Sequence, residues 1–364
     1  MKLTIVAGAR PNFVKIAPLI KEIQQSKNYS LHIQYRLVHT GQHYDDRMSA
    51  QFFKDLEIPH PDVNLNAGSG SQAKITAQIM MGFEKELLKY PPDLVIVVGD
   101  VTSTLACTIA AKKLNIKVAH IEAGIRSYDL SMPEEINRMV TDSISDYFFT
   151  TTPEASELLK HIGKKENQIF FVGNIMIDTL LSSIDKLKKP GLFDLNNLKP
   201  QSYFILTLHR PSNVDEAQDL MRLVKHICQE ASPYPIVFPI HPRTKKKFNL
   251  DENNIKNLII SEPLGYLEFN YLVKNALGVL TDSGGITEET SILNIPCITL
   301  RENTERPETI TLGTNELAGH NYNLIQEYIS KIKGNQWKNA QSIPLWDGKT
   351  ANRILANLLN IMKP

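Results

Sequence analysis

Polar and charged residues follow most of the apolar runs that predict β-strands in this sequence. In the first half, Gly8-Ala9-Arg10, Gly99-Asp100 and Glu122-Ala123-Gly124 each follow such a run. Arginine is suited to binding an anion, and neighbouring carboxylates are suited to moving protons. Each of these residues taken alone is explained equally well as a turn or a helix cap. Together they predict one charge-rich site at the ends of the strands.

The second half repeats this pattern with histidines and glycines. His209-Arg210, His241-Pro242-Arg243 and Asp282-Ser283-Gly284-Gly285 stand at the corresponding positions. Paired glycines let the backbone approach a ligand, and the serine hydroxyl can donate to a phosphate oxygen. Glu288 and Glu289 follow in the first turns of a predicted helix. A carboxylate there either accepts both hydroxyls of a ribose or simply stabilises the helix dipole.

Basic side chains also lie near other predicted helix starts. Arg10 and Lys15 lie where backbone N–H groups attract an anion, although a surface position explains Lys15 equally well. Glu134 and Arg138 are four residues apart and share a helix face. They predict either a surface ion pair on a helix with a capping box at Ser131, or two charges presented to the site. Arg306 follows the last predicted strand as a candidate phosphate ligand.

Short apolar runs alternate with amphipathic stretches, a pattern typical of βαβ units and parallel sheets. The predicted strands are Leu3–Ala7, Arg36–Thr40, Leu94–Val98, Val118–Ile121, Tyr147–Thr151, Ile169–Val172, Phe204–Leu208, Ile236–Ile240, Leu258–Ile260, Gly278–Thr281 and Cys297–Leu300. The predicted helices include Asn12–Gln25, Ala73–Lys89, Ser103–Leu114 and Thr350–Met362. We predict two doubly wound α/β domains with a cleft between them, because ligands bind beyond the carboxyl ends of the strands in such sheets.

Length and composition exclude several classes of protein. The 364 residues correspond to roughly two domains, and Lys186–Gln201 reads as a linker between them. Lysine and arginine total 40 against 39 for aspartate and glutamate, so the net charge is +1. This balance argues against a sequence-independent nucleic-acid binder and against a polybasic membrane-surface protein. No apolar stretch approaches the length of a membrane span, and the first apolar run is too short for a signal peptide, so we expect a cytoplasmic protein.

Three other kinds of site find little support. Cys107, Cys228 and Cys297 are far apart and form no CxxC pair, which disfavours a disulfide framework and a thiolate metal site. No histidine–carboxylate cluster has metal-ligand spacing, so no metal is expected. The segment 68–73 matches the dinucleotide fingerprint as a string, but no convincing strand precedes it. We therefore predict a loop there and no NAD cofactor.

These motifs, in this order, resemble those of the non-hydrolysing UDP-N-acetylglucosamine 2-epimerases. The match runs nearly from end to end and comprises GARPNFVKIAPL, HTGQHYD, PDLVIVVGDVTSTLA, HIEAGIRS, PEEINR, FVGNIMIDTL, TLHRPSN, FPIHP, LTDSGGITEE, NTERPE and DGKTANRI. The resemblance implies the GT-B architecture of two Rossmann-like domains, a homodimer, and no cofactor or metal. It places residues 1–172 and 350–364 in the N-terminal domain and residues 173–349 in the C-terminal, nucleotide-binding domain.

The resemblance also implies a role for each matching residue. The catalytic set is Asp100, Glu122, Glu134, Arg138 and His209. The UDP-sugar ligands are Arg10, Lys15, His241, Phe269, Ser283, Gly284, Gly285, Glu289 and Arg306, with Phe269 on the uracil and Glu289 on the ribose. Gln42, His43 and Arg210 match part of a second substrate site that activates some family members.

The implied reaction is epimerisation at C2 of UDP-N-acetylglucosamine, which yields UDP-N-acetylmannosamine for cell-surface polysaccharide synthesis. UDP is eliminated to leave a 2-acetamidoglucal and then adds back with the proton on the other face. Ala9, Asn12, Pro211 and Leu264 depart from the family pattern, so a related diacetamido or 6-deoxy amino sugar stays open as the substrate. A GT-B glycosyltransferase and a nucleotide-sugar-binding regulator are the alternatives from other classes.

Overall fold

A computed structural model describes residues 1–26, 33–41, 52–240, 242–245, 247–248 and 255–361 of the chain. The chain forms two compact units. Unit 1 consists of residues 1–182 and 344–364, and unit 2 consists of residues 183–343. Among the described helices, none combines the length and the apolar composition that a membrane crossing requires.

Thirteen strands are found in the described part of the chain. They are β1 (Lys2–Ala7), β2 (Gln34–His39), β3 (Val63–Asn64), β4 (Leu94–Val98), β5 (Lys117–Ala123), β6 (Tyr147–Thr150), β7 (Ile169–Phe171), β8 (Phe204–Thr207), β9 (Ile236–Pro239), β10 (Leu258–Ser261), β11 (Gly278–Thr281), β12 (Cys297–Thr299) and β13 (Asn315–Leu317). All eleven predicted strands are confirmed. The prediction missed β3 and β13, which are too short to show a periodic pattern.

Helices connect these strands. They are α1 (Arg10–Ser26), α2 (Gln72–Lys89), α3 (Thr102–Lys113), α4 (Pro133–Ile144), α5 (Pro153–His161), α6 (Ile175–Ser183), α7 (Gly191–Leu195), α8 (Pro211–Val214), α9 (Ala217–Ala231), α10 (Pro242–Lys245), α11 (Tyr266–Lys274), α12 (Gly284–Leu293), α13 (Pro307–Thr311), α14 (Tyr322–Lys333) and α15 (Thr350–Ile361). Two short 3₁₀ helices, Glu166–Gln168 and Ile184–Lys186, are also present, and residues 52–55 are helical.

Each unit contains one parallel sheet. The strand order is β3-β2-β1-β4-β5-β6-β7 in unit 1 and β10-β9-β8-β11-β12-β13 in unit 2. The order reverses between β1 and β4 in unit 1 and between β8 and β11 in unit 2. In doubly wound sheets the crevice at such a reversal is where ligands bind. The predicted polar motifs after β4 and β11 therefore stand beside the two reversals.

Strand β4 shows why the strands are apolar at every position. Its residues alternate between two buried clusters, with Ile96 in the cluster that includes α1 and α15, and Val97 in the cluster that includes α2 and α3. A central parallel strand is covered by helices on both faces, so neither face accepts polar side chains. Polar groups are consequently left to the strand ends.

The predicted linker Lys186–Gln201 is corrected by the structure. This segment contains α7, whose Phe193 is buried and packs edge-on against Tyr203 and Tyr271, with ring centroids 5.9 and 5.7 Å apart. The segment is therefore part of the core of unit 2. A single anchoring aromatic residue gives no periodic signal, which is why the sequence pattern did not show it.

Residues 173–182 and 344–349 lie in unit 1, whereas the family resemblance assigned them to the other domain. The Thr179 hydroxyl donates to the carbonyl of Val14 at 2.5 Å, which holds α6 against α1. Gly173 has a φ of +92°, and a Cβ there would lie 2.3 Å from the carbonyl oxygen of Leu345. Close packing of these two segments thus needs a glycine at this position.

The start of α15 is capped by a carboxylate from α6. Asp178 Oδ2 accepts the backbone N–H of Ala351 at 2.7 Å, and the carboxyl group is also hydrogen-bonded to Thr350. The first N–H groups of a helix have no partner within the helix, and a negative charge is favourable there. Asp178 therefore ties the returning C-terminal helix to unit 1.

We predict that Asp178→Ala lowers the free energy of unfolding by about 1 to 2 kcal/mol, because the helix loses its cap. Urea denaturation followed by circular dichroism measures this loss. Asp185→Ala is the matched control, since Asp185 is exposed in the adjacent 3₁₀ helix, and it should change the stability by less than about 0.5 kcal/mol. Equal losses in both variants would contradict the capping role.

Candidate active site

Glu122 is held in a strained backbone conformation at the end of β5. Its φ is +67°, in the left-handed region that favours glycine, and the pairing of β5 with β6 shifts register between Ile121 and Ala123. Such a bulge re-aims a side chain at a strand end. Here it turns the carboxylate inward, where Oε2 lies 2.6 Å from Nζ of Lys15. The backbone strain thus serves to place one buried negative charge.

Lys15 and Glu122 form a buried ion pair. Their side chains are only 8% and 3% exposed. The approach depends on Gly99, because a Cβ at that position would lie 3.0 Å from Lys15 Nζ, and its φ of +69° also favours glycine. The sequence predicted Lys15 as a ligand of UDP. In the structure Lys15 lies against a predicted catalytic carboxylate, and its role as a ligand of UDP stays a prediction.

Arg138 joins two carboxylates. Its Nη1 donates to Asp100 Oδ2 at 2.6 Å, and its Nη2 donates to Glu135 Oε2 at 2.8 Å. Burial acts to raise the pKa of Glu135, but hydrogen bonds from Ser127 and Arg138 outweigh it and hold the pKa below its usual value. Asp100 is the more accessible of the two, with 32% of its side chain exposed. Arg138 therefore fixes Asp100 while leaving part of it open to solvent.

The predicted surface ion pair of Glu134 with Arg138 is corrected in two respects. Arg138 is buried, and the glutamate that the structure pairs with it is Glu135. Glu134, in the first turn of α4, is partly exposed. The predicted capping box is also wrong, because the Ser131 hydroxyl donates to Asp129 and Met132 occupies the position before the helix. Glu135 is three residues and Glu134 four residues before Arg138, and both spacings allow an ion pair on a helix. Only the burial of Glu135 beside Arg138 decides which glutamate forms it.

A second buried network supports the turn after β4, and sequence reasoning missed it. His120 Nε2 lies 2.8 Å from the carbonyl oxygen of Gly99, and Nδ1 lies 2.7 Å from Asp142 Oδ1. Asp142 also pairs with Arg126 at 2.7 Å. Burial acts to raise the pKa of Asp142, but His120 and Arg126 together hold it below its usual value. The signal in the sequence is a histidine inside an otherwise apolar strand.

In unit 2 the carboxyl ends of β8 and β11 bring His209 and Asp282 together. Thr207 and Thr281 are register partners in these strands. His209 Nδ1 lies 2.6 Å from Oδ1 of the buried Asp282. The backbone N–H groups of His209 and Arg210 both donate to Asp282 Oδ2 at 2.9 Å. The predicted catalytic histidine is therefore anchored by Asp282, which the sequence analysis placed at a strand end without giving it a role.

The start of α12 carries the predicted nucleotide residues. Ser283 precedes the helix, and Gly284 and Gly285 form its first turn. Glu289 is buried on this helix, and burial is the main cause that raises its pKa to about 7. Hydrogen bonds from Tyr266 and Asn270 oppose this rise in pKa. The Glu289 carboxyl group therefore titrates near neutral pH.

Two arginines that follow β12, Arg301 and Arg306, lie near α12. Arg306 forms an ion pair with the fully buried Glu288. Arg301 instead pairs with both oxygens of Glu305, at 2.8 and 2.9 Å, and a Cβ at Gly284 would lie 4.0 Å from Arg301 Nη1. Arg301 directly follows an apolar run, so the rule that identified the other strand-end residues also applies to it.

Several predicted residues cannot be placed. Gln42, His43 and His241 lie outside the described residues, as does the side chain of Arg10.

Phe269 lies on α11, partly buried at the edge of a core cluster of unit 2. Arg210, predicted in the activating site, has its Nη2 3.8 Å from Glu305 Oε1. Within the described ranges, no group of three or more His, Cys, Asp or Glu residues could hold a metal ion.

The sequence matches a family model described as UDP-N-acetylglucosamine 2-epimerase over residues 22–359. The chain belongs to this epimerase family. It is 43% identical to a UDP-N-acetylglucosamine 2-epimerase of Methanocaldococcus jannaschii, over 98% of each chain. It is also 39% identical to a UDP-2,3-diacetamido-2,3-dideoxy-D-glucuronate 2-epimerase of Pseudomonas aeruginosa, over 90% of this chain and 91% of the relative.

A solved structure of the family has the same fold. The Methanocaldococcus jannaschii epimerase, crystallised in complex with UDP-GlcNAc and UDP, superposes with a TM-score of 0.87 at 42% identity. The match covers 99% of this chain and 100% of that one. The predicted fold class, two doubly wound Rossmann-like domains in the GT-B architecture, is thereby confirmed for this family member. The cleft between the domains stays a prediction.

We predict that Lys15→Met lowers the free energy of unfolding by about 3 to 5 kcal/mol, because the buried Glu122 loses its counter-charge. Lys112→Met is the control, since the Lys112–Asp146 pair is also short, at 2.8 Å, but its side chains are 28% and 27% exposed. In this control the free energy of unfolding should fall by about 1 kcal/mol or less. Chemical denaturation of both variants measures the difference. Losses of the same size would contradict a special role for the buried pair.

Proposed function

We propose that this protein epimerises UDP-N-acetylglucosamine at C2 to give UDP-N-acetylmannosamine, without hydrolysis. The observation that carries the proposal is the pair of carboxylates after β4 and in the bulge of β5, Asp100 and Glu122, in a member of this epimerase family. Inversion at C2 requires proton transfer on two faces of the sugar, and one carboxyl group cannot reach both. The two carboxylates differ in environment, since Asp100 is partly exposed and Glu122 is buried.

The proposed chemistry follows from the bonds involved. One carboxylate takes the C2 proton, a C1–C2 double bond forms, and the C1–O bond electrons leave with UDP. UDP then adds back to C1 while a second carboxyl group delivers a proton to the opposite face of C2. The C2 proton has no adjacent ketone to acidify it, so stabilising the leaving diphosphate lowers much of the barrier. We assign proton transfer to Asp100, Glu122 and Glu134, and diphosphate stabilisation to His209.

Unit 2 supplies the proposed nucleotide site. We assign the diphosphate to the first turn of α12, where Ser283 and the backbone N–H groups of Gly284 and Gly285 suit an anion. Glu289 accepts the ribose hydroxyls and Phe269 packs on uracil. Arg306, the predicted phosphate ligand, is held against α12 by its ion pair with Glu288. The other predicted ligands, Arg10, Lys15 and His241, stay predictions.

Two other features of the family remain proposals for this chain. We infer a cytoplasmic enzyme that supplies cell-surface polysaccharide synthesis, because nucleotide sugars are made before they are polymerised. We also infer a homodimer. Large apolar side chains are exposed on α2, at Met81 and Leu88, and on α4, at Ile136 and Met139. Both helices pack against α3, and exposed apolar groups of this kind favour a second copy of the chain as their partner.

The second candidate function is the same epimerisation on a UDP-diacetamido sugar. The Pseudomonas aeruginosa relative with that name favours it, at 39% identity. A glycosyltransferase is the weaker alternative, since the chain belongs to the epimerase family. The diacetamido-sugar epimerase differs from the main proposal in its substrate, and the glycosyltransferase differs in its need for an acceptor.

Incubation with UDP-N-acetylglucosamine alone in D₂O tests the proposed function. We expect both C2 epimers with deuterium at C2, as measured by proton NMR and mass spectrometry. A transferase would give neither epimer nor deuterium without an acceptor. Conversion of only the diacetamido sugar would favour the second candidate, and free N-acetylmannosamine with UDP would indicate hydrolysis.

Glu134→Gln should retain UDP affinity and reduce turnover at least about 100-fold, the usual contribution of a general acid or base. Glu154→Gln is the matched control, because Glu154 also follows a proline in the first turn of a helix and is exposed. The control should turn over normally. Near-normal turnover of the Glu134 variant would remove this residue from the catalytic set.

UDP affinity should fall below neutral pH, because the ribose hydroxyls need the ionised form of Glu289. With a pKa of about 7, the carboxylate is present above pH 7 and is lost as the pH falls. If only the ionised form binds, Kd rises about tenfold per pH unit well below that value. Glu289→Gln should bind more weakly and lose this dependence, whereas the phosphates of UDP titrate equally with both proteins. Calorimetry from pH 5 to 8 measures the difference, and parallel pH profiles would refute it.

A further inference from the structure

Asp282 makes more polar contacts than a turn after a strand requires. It is fully buried at the end of β11. One carboxylate oxygen, Oδ2, accepts the backbone N–H groups of His209 and Arg210 at 2.9 Å and the side-chain amide of Asn213 at 3.0 Å. The other oxygen, Oδ1, lies 2.6 Å from His209 Nδ1. Both oxygens are thus committed to the segment that carries His209.

The protonation state of this carboxylate follows from its partners. The backbone and amide N–H groups only donate, so Oδ2 acts as an acceptor. Burial acts to raise the pKa of Asp282, but contacts with His209, Asn213 and Arg210 outweigh it and hold the pKa below its usual value. An ionised carboxylate has no hydrogen to donate. A bare Nδ1 lone pair 2.6 Å from an ionised carboxylate oxygen would be repelled by it, so the ring hydrogen of His209 belongs on Nδ1.

The position of this hydrogen determines which atom of His209 can react. A neutral imidazole has one ring hydrogen, and with that hydrogen on Nδ1 the lone pair is on Nε2. The Nδ1 side of the ring faces the buried carboxylate, while half of the His209 side chain, 50%, is exposed. Nε2 is consequently the ring nitrogen left to meet a substrate.

Asn213 holds the carboxylate from a second direction. Its Nδ2 donates to Asp282 Oδ2 and to the carbonyl oxygen of Leu300, at 3.0 and 3.2 Å, which sets the orientation of the amide. Asn213 Oδ1 then faces His320 Nε2 at 2.6 Å. The amide is buried, so Asp282 cannot turn away from His209 without breaking these bonds.

We propose that Asp282 is a positioning residue that holds His209 in the tautomer with hydrogen on Nδ1. Nε2 is then basic in the neutral ring and donates to the departing diphosphate in the protonated ring, whose positive charge Asp282 balances. A buried carboxylate that orients a histidine in this way fixes both the tautomer and the direction of the ring. The assignment of the diphosphate rests on the proposed function, whereas the tautomer does not.

Nitrogen-15 NMR of histidine-labelled protein tests the tautomer directly. The His209 signals are identified by their loss in His209→Gln. The unsubstituted protein should carry the hydrogen on Nδ1. In Asp282→Asn the amide oxygen can still accept the backbone N–H groups of His209 and Arg210, and the amide NH₂ then faces Nδ1 of His209. Because that NH₂ donates, Nδ1 must accept, so the ring hydrogen of His209 should move to Nε2. His320→Gln should leave the tautomer unchanged, because a glutamine amide can also donate to Asn213.

The kinetic test separates positioning from support of the fold. Asp282→Asn should lower kcat by about 100-fold or more, with KM changed less than about threefold. The same substitution should cause no further loss in a His209→Gln background, since a residue that acts through His209 has nothing left to position.

Three results would overturn the proposal. They are an Nε2–H tautomer in the unsubstituted protein, an unchanged tautomer in Asp282→Asn, and additive losses in the double variant. If Asp282→Asn fails to fold, the tautomer of the unsubstituted protein still decides. If no UDP-sugar is epimerised, the proposed function fails while the NMR result stands separately.

Discussion

The structure depends on the need of a buried carboxylate for a nearby positive charge or hydrogen-bond donor. An unpaired charge away from water is so unfavourable that each such group constrains the chain around it. Glu122 has Lys15, Asp142 has His120 and Arg126, and Asp282 has His209 and three N–H donors. Glycine at position 99 and a bulge in β5 are the local adjustments that make the first of these pairs geometrically attainable.

Both units meet this requirement at the same place in the fold. The central strands are covered on both faces and accept only apolar residues, so the charges collect after the strand ends beside the reversal of strand order. In unit 1, Glu122 is buried in an ion pair with Lys15, whereas Asp100 pairs with Arg138 and stays partly exposed to solvent. Unit 2 uses backbone donors and one histidine around Asp282. The result in each unit is a rigid polar edge on an apolar sheet, which is the preorganisation that proton transfer and anion binding require.

Particular residues show where reasoning from the sequence stopped. The sequence identified Arg138 and His209 but not their partners Glu135 and Asp282, because pairing depends on which side chains are buried together. It selected Arg306 as a phosphate ligand but could not show that Arg306 forms an ion pair with Glu288 of α12. The segment 186–201 was predicted to be a linker because it is anchored by a single buried phenylalanine, and one apolar residue gives no periodic pattern in the sequence.

The sequence by itself determined the fold class, eleven of the thirteen described strands and the family, because apolar runs of parallel strands and motifs at their ends are local patterns. The balance of 40 basic and 39 acidic residues argued against polyanionic partners but said nothing about where the charges lie. Only the tertiary structure decided that Lys15 pairs with Glu122 and that Asp282 holds His209. These residues are distant along the chain, and their pairing is set by strand order, backbone strain and the high free energy of an unpaired buried charge.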